Sequence, residues 1–258
     1  MLENKLKRKL QAGEAAFGLG LRFPITIPML RILHYGKVDW LFIDIEHGSG
    51  DISQLFNIVQ VADMLDMNSV ARIPALEYHW LSRSLDTGAL NVMIPRVETR
   101  EQAERAVLWA RFAPQGTRGC GSPSHLCYAP LGAAQTVEIL NRETMVVLQI
   151  ESEAAIDSLE DIASVPGVDA LFIGPMDMSL SVGRPGDVTN EVSRKYFREI
   201  CRVAQDYELA VGIVCAPDQV DVYYSMGVRM FSIGTVLDFI RTGVQTAAEE
   251  FHRRLDGK

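Results

Sequence analysis

Eight short runs of nearly uninterrupted apolar residues, each followed by a segment of helical periodicity, recur along the whole of this 258-residue chain. They fall at residues 15–23, 38–45, 69–73, 89–97, 144–150, 168–173, 209–214 and 228–233. Runs such as VDWLFIDI and TMVVLQI lack the polar alternation of a half-exposed antiparallel strand and suit parallel strands covered on both faces. Between them, residues 53–65 align Leu55, Ile58, Ala62 and Leu65 on one helical face. Residues 99–111 open with Thr99 and Gln102 at capping-box spacing. Eight βα units in about 250 residues is the size of a TIM (β/α)8 barrel, with a doubly wound open sheet as the rival. No linker or shift of composition divides the chain, so a single barrel domain over residues 1–258 is expected. The long irregular stretch at 113–130 is expected to be either functional or disordered.

Charge narrows the partners. Twenty-five basic against 33 acidic residues leave a net charge of −8. That disfavours a coat for nucleic acid or for an anionic membrane, since both need a cationic surface. No run approaches the ~20 apolar residues of a membrane span. Lys5, Lys7, Arg8 and Lys9 are not followed by an apolar stretch, so no signal peptide is expected. Cys120, Cys127, Cys201 and Cys215 form no CxxC pair and read as free thiols of a cytoplasmic protein.

A barrel of this kind gathers chemistry where its strands end. The ends of these runs, or the residues directly after them, are Asp44, Glu46 and His47 for the second, Arg72 for the third, Arg96 for the fourth, Gln149 and Glu151 for the fifth, and Gly174, Pro175 and Asp177 for the sixth. Unpaired charge is costly inside a barrel, so these residues either form ion pairs that seal its mouth or act on a substrate. Glu151 and Asp177 suit a hard divalent cation, Mg²⁺ or Mn²⁺, unless one of them caps a helix. His47 is the best general acid/base, flanked by Asp44 and Glu46 to orient its ring. His125, in the long loop, is a candidate substrate contact. None of the six lysines ends a run, which argues against Schiff-base chemistry and leaves a carbonyl to be polarised by metal and Arg. GLGLRF lacks the third glycine of a dinucleotide loop, and no GxxxxGK[ST], GxSxG or HExxH is present.

FIDIEHG (42–48), VARIP (70–74), LDTGALNVMIPRVET (85–99), FAPQGTRGCG (112–121), VLQIES (147–152) and GVDALFIGPMDMS (167–179) occur together in one order. This set resembles the HpcH/HpaI aldolase family, metal-dependent lyases of 2-oxo acids that include 4-hydroxy-2-oxoheptanedioate aldolase. The resemblance implies a phosphoenolpyruvate/pyruvate-type TIM barrel whose last helix, here 236–254, is swapped with a partner in a homotrimer or homohexamer. It implies Glu151 and Asp177 as ligands of Mg²⁺, Mn²⁺ or another divalent ion such as Co²⁺. Arg72 would hold the keto or enolate oxygen, and His47 would be the base, paired with Asp86 of a neighbouring subunit. Gln149 would line the pocket, Asp44 would support the His47 loop, and backbone N–H groups around Gly174 to Asp177, with Gly174, Pro175 and Met176 named first, would bind the 2-oxo acid carboxylate.

The chain departs from the family after Arg118-Gly119. CGSPSHLCY carries no Lys or Arg, with Ser124 and His125 the candidate contacts on the aldehyde side. A neutral or sugar-derived aldehyde is therefore expected rather than one with a distal carboxylate. The expected activity is metal-dependent cleavage of a 4-hydroxy-2-oxo acid to pyruvate and an aldehyde. The alternatives are oxaloacetate decarboxylation, another lyase or hydrolase step on a pyruvate derivative, and a non-catalytic scaffold.

Overall fold

A computed structural model describes residues 3–22, 25–121, 128 and 130–256. Eight parallel strands close into a barrel in sequence order: β1 (Ala16–Leu21), β2 (Trp40–Asp44), β3 (Asn68–Arg72), β4 (Asn91–Ile94), β5 (Met145–Ile150), β6 (Ala170–Ile173), β7 (Ala210–Cys215) and β8 (Met230–Thr235). The open-sheet alternative is thereby excluded. Twelve α-helices accompany them among the described residues: α1 (Lys5–Gln11), α2 (Ile27–Tyr35), α3 (Ile52–Met64), α4 (Tyr78–Asp86), α5 (Arg100–Ala110), α6 (Ala133–Glu143), α7 (Glu153–Asp157), α8 (Leu159–Ala163), α9 (Pro175–Ser181), α10 (Glu191–Asp206), α11 (Val220–Met226) and α12 (Val236–Asp256). The expected eight become twelve because α1 precedes the barrel and three connections carry two helices each. The segment after Glu151 breaks at Ser158, which ends α7 and begins α8. Strand β1 stops at Leu21 and β4 at Ile94, short of the apolar runs that contain them. Thr99 and Gln102 form the expected capping box on α5.

Alternation along the strands builds two cores. Residues of one parity, such as Leu41, Ile43, Leu148 and Ile150, pack outward with the helices. Residues of the other parity fill the barrel, with Trp40, Phe42 and Phe172 meeting at ring separations of 5.7–6.3 Å. They fit because β7 carries Gly212 opposite, where a Cβ would collide with the Phe172 ring. Three aromatic rings thus form a floor partway up the barrel, and above it the inward positions of β2, β3 and β5 are polar. Those positions are Asp44, Arg72 and Gln149, in phase with Trp40 and Phe42, Val70, and Met145 and Val147 respectively.

Helix α1 closes the opposite end by burying Leu6 and Leu10 against the inner core. Its N-cap Asn4 gives its side-chain amide to Asn91 Oδ1 (2.6 Å) and to the Glu143 carbonyl (2.7 Å). Glu143, fully buried, accepts both terminal nitrogens of Arg8 (2.7 and 3.0 Å), Arg142 Nε (2.8 Å) and the Asn4 N–H (2.9 Å). The Arg8 hydrogen bonds hold its carboxyl down at about 2, below the ordinary 4.5. A depressed value means that the stabilisation is complete above pH 4.5 and is lost as pH falls towards 2. Glu143→Gln is expected to lower the unfolding free energy by about 2–4 kcal/mol at pH 7, and by less below pH 4. Urea titrations at a series of pH values check this, and equal midpoints for the two proteins at pH 7 would contradict it.

Candidate active site

Register sets the first contact. Asp44 and Arg72 are paired residues at the ends of adjacent strands β2 and β3. The buried Arg72 guanidinium forks onto Asp44 through Nε–Oδ1 (3.0 Å) and Nη2–Oδ2 (2.6 Å), and its plane lies over the Phe42 ring at 5.1 Å. Burial pushes Asp44 up, but the bonds and charge of Arg72, with the His47 N–H, leave its carboxyl below the usual range. Arg72 Nη1 reaches Gln149 Oε1 (3.3 Å) and Glu46 Oε2 (3.2 Å). Gln149 in turn donates its Nε2 to Glu151 Oε2. Asp44, Arg72, Gln149 and Glu151 therefore form one continuous buried chain.

Glu151 is 4% exposed, and burial together with the charge of Asp177 raises its carboxyl to about 7. Its Oε1 accepts the N–H of Arg96 (2.9 Å). Arg96 adopts a left-handed φ of 53°, uncommon for a non-glycine residue, and this turns its N–H toward the carboxylate. Glu151 also lies against Gly174, where a Cβ would strike both Glu151 and the Gln149 amide. Neither metal candidate is a helix cap: Ser152 caps α7, while Asp177 sits in the first turn of α9 behind Gly174. No group of three or more His, Cys, Asp or Glu side chains able to hold a metal occurs among the described residues. The candidate is thus a two-carboxylate site.

The backbone groups expected around Gly174 need correction. The Gly174 N–H already donates to Ile150 (3.2 Å), and Pro175 has none. The first intrahelical bond of α9 runs from Met178 to Gly174, which leaves the N–H groups of Met176 and Asp177 ahead of it.

His47 follows β2 in a turn secured by the N–H groups of Glu46 and His47, both donated to Asp44 Oδ1 at 3.1 Å. Its ring is half-exposed, with Nε2 3.8 Å from Glu46 Oε1, beyond hydrogen-bonding distance. Asp44, expected beside the ring, is turned to Arg72. Glu46 instead bridges Arg72 and Arg96 Nη2 (3.3 Å). Asp86 ends α4, and its Oδ1 accepts from the buried Arg118 (3.0 Å). Ser124 and His125 lie outside the described residues.

A cleft of about 600 Å³ opens above the aromatic floor. It is bounded by Gly174–Asp177 on one side and by Val214, Ile233 and Phe239 on the other. Arg22, directly after β1, also lines it and was missed among the strand-end residues. The signal was parity, since residue 22 continues the inward series 16, 18, 20.

The raised Glu151 has a consequence for the ligand-free chain. A carboxyl at about 7 when folded and 4.5 ordinarily binds its proton more tightly in the native state. Stability should therefore fall by about 3 kcal/mol between pH 4.5 and 7 on account of this group. Glu151→Gln is expected to flatten that fall in urea denaturation at pH 5 and 8 without divalent ions. A parallel fall in both proteins would contradict the assignment.

A family model described as HpcH/HpaI aldolase/citrate lyase matches residues 26–240. The chain is 32% identical over 254 residues to a 5-keto-4-deoxy-D-glucarate aldolase from Shigella dysenteriae serotype 1, and 31% identical to one from Salmonella arizonae, covering 97% of each partner. Among solved structures, an HpcH/HpaI aldolase from Desulfitobacterium hafniense superposes with a TM-score of 0.88 at 28% identity, covering 95% of this chain and 96% of that one. A family protein from Burkholderia cenocepacia gives 0.89 at 28% identity, covering 96% and 99%. With a match that runs through β2 to β8 and takes in both carboxylates of the site, this chain belongs to the HpcH/HpaI aldolase/citrate lyase family.

Proposed function

We propose that this chain is a divalent-metal-dependent aldolase that cleaves a 4-hydroxy-2-oxo acid into pyruvate and an aldehyde. The observation that carries the reading is Glu151: a buried carboxylate raised to about 7 partly by Asp177, braced by Arg96 and Gln149, and packed on a glycine. Two converging carboxylates with room for water fit Mg²⁺ or Mn²⁺, which bind through one or two acidic side chains. A cation held by Glu151 and Asp177 would supply Lewis acidity towards the 2-oxo group and relieve the repulsion between the two carboxylates.

The residues divide the remaining work. The N–H groups of Met176 and Asp177 are available to the substrate carboxylate. Arg72, immobilised by Asp44, turns its least tightly held nitrogen, Nη1, to the 2-oxo oxygen and stabilises the enolate charge that develops there. His47, working with a water, takes the proton from the C4 hydroxyl. The C3–C4 bond breaks, C4 leaves as the aldehyde, and C3 of the enolate is then protonated to give pyruvate. Asp86, steered by Arg118, would raise the basicity of a neighbouring subunit's His47. The 5-keto-4-deoxy-D-glucarate of the relatives is a 2-oxo acid with a carboxylate at each end, and its cleavage follows the same bond changes.

The surface of the last helix supports the expected assembly. Helix α12 meets its own barrel mainly where it leaves β8, and it exposes Leu237, Phe239, Ile240, Val244, Phe251 and Leu255. Such a face needs a partner, and exchange of α12 between copies in a homotrimer or homohexamer would cover it. The buried thiols Cys201 and Cys215, raised to about 11 by burial, suit the cytoplasm.

His47→Ala and Glu151→Ala are each expected to lower pyruvate release from an aldol substrate by about two to four powers of ten. EDTA should abolish turnover, and Mg²⁺ or Mn²⁺ should restore it. Wild-type rates in either variant, or indifference to the chelator, would contradict the reading. Oxaloacetate run in parallel tests decarboxylation. Light scattering should report three or six copies, and Phe251→Glu should shift the population to smaller species, whereas a monomeric wild type would contradict the exchange.

A further inference from the structure

We propose that Arg96 is a positioning residue for His47: its guanidinium occupies the Glu46 oxygen that would otherwise capture the imidazole. This inference rests on the aldolase reading, in which His47 is the base, and adds a residue to it.

Arg96 touches two carboxylates at once. Its N–H is given to Glu151 Oε1 (2.9 Å), and its side chain reaches Glu46 Oε1 through Nη2 (3.3 Å). The other Glu46 oxygen, Oε2, lies 3.2 Å from Arg72 Nη1. A closed ring results, in which Glu46, Arg72, Gln149, Glu151 and Arg96 are joined in turn. The Arg96 side chain is 67% exposed, and Glu46 is its one ionic partner among the described residues, so the charge of Arg96 serves Glu46.

Geometry makes that contact a competition. His47 Nε2 stands 3.8 Å from the same Glu46 Oε1. A movement of roughly 0.7 Å would bring the two to hydrogen-bond distance. The turn is fastened by main-chain groups, with the N–H of Glu46 and His47 on Asp44 and that of Ser49 on the Arg22 carbonyl, and none of these bonds holds the imidazole. A carboxylate paired with Nε2 would keep a proton on that nitrogen and remove the lone pair that a base needs. Arg96 prevents this by giving Oε1 a permanently charged partner. Arg72 cannot take over, because its three nitrogens are already on Asp44, Gln149 and Glu46 Oε2.

The test compares two reactions with Mg²⁺. Cleavage of 5-keto-4-deoxy-D-glucarate, the acid of the relatives, needs a proton taken from a hydroxyl. Oxaloacetate loses CO₂ by breaking C3–C4 with no hydroxyl to deprotonate, so it reports on the enolate half of the site alone. Arg96→Met keeps the straight stem and the main-chain N–H. It should lower cleavage about tenfold further than decarboxylation, in kcat rather than KM, the size of one lost charge-assisted contact. Arg96→Lys should restore most of the loss. Equal losses in both reactions, or a change in KM alone, would overturn the proposal. A second readout needs no turnover: carbethoxylation of His47 by diethyl pyrocarbonate, followed by mass spectrometry at one pH on the substrate-free protein. It should slow by about threefold or more in Arg96→Met, and not in Arg96→Lys. An unchanged or faster reaction in Arg96→Met would mean that Glu46 does not capture the ring, and would overturn the proposal. If the wild type releases pyruvate from neither substrate, the aldolase reading fails, while the labelling still decides whether Arg96 keeps Glu46 off His47.

Discussion

A guanidinium buried at the mouth of a barrel has to be surrounded by acceptors, and the rest of this site follows from how Arg72 meets that demand. Leaving such a charge unpaired would cost several kcal/mol. Asp44 answers it with a two-point fork from the neighbouring strand, Gln149 from two strands along the barrel and Glu46 from the turn above. Gln149 is thereby oriented, and its amide fixes Glu151. One buried ion pair therefore positions the carboxylate after β5, two strands along the barrel from Arg72, that would hold the metal. It also freezes the cation that would meet the developing enolate, so little reorganisation remains for the reaction itself.

The same economy appears in the backbone. Asp44 also receives the two N–H groups that shape the His47 turn, so the residues proposed as base and electrophile share one support. Glu151 is held between a left-handed Arg96 and a bare Gly174. The left-handed Arg96 is a position of poor local propensity, and strain of this kind persists where surrounding packing over-determines it. The opposite end of the barrel shows no such tension: α1 and Glu143 close it with satisfied bonds and buried leucines. A satisfied hydrogen-bond network thus closes one rim, and the proposed chemistry lies at the other.

Much of this was legible in the sequence because the barrel obeys two periods. Near-continuous apolar runs marked all eight strands, and alternation placed Asp44, Arg72 and Gln149 in line with Trp40, Phe42, Val70 and Val147. What stayed hidden depends on backbone detail without a side-chain signature. That Arg96 contributes its N–H follows from φ, not from its charge. That Gly174 spends its N–H on Ile150, leaving those of Met176 and Asp177 ahead of the first helical bond, follows from where α9 begins. Arg22 escaped notice because the apolar run extends to residue 23, which puts residue 22 in the wall; the strand ends at Leu21 and frees it for the cleft. The split of residues 152–160 turns on the conformation of one serine, Ser158.

The claim on which the account stands is that Glu151 and Asp177 share one divalent ion beside Arg72. A crystal structure of the protein grown with Mn²⁺ and oxalate, an analogue of the pyruvate enolate, tests it most directly. The account predicts a single anomalous peak between the two carboxylates, with oxalate bound to that ion and one of its oxygens on Arg72. Manganese bound elsewhere, or oxalate seated away from Arg72 with Glu151 unligated, would contradict it.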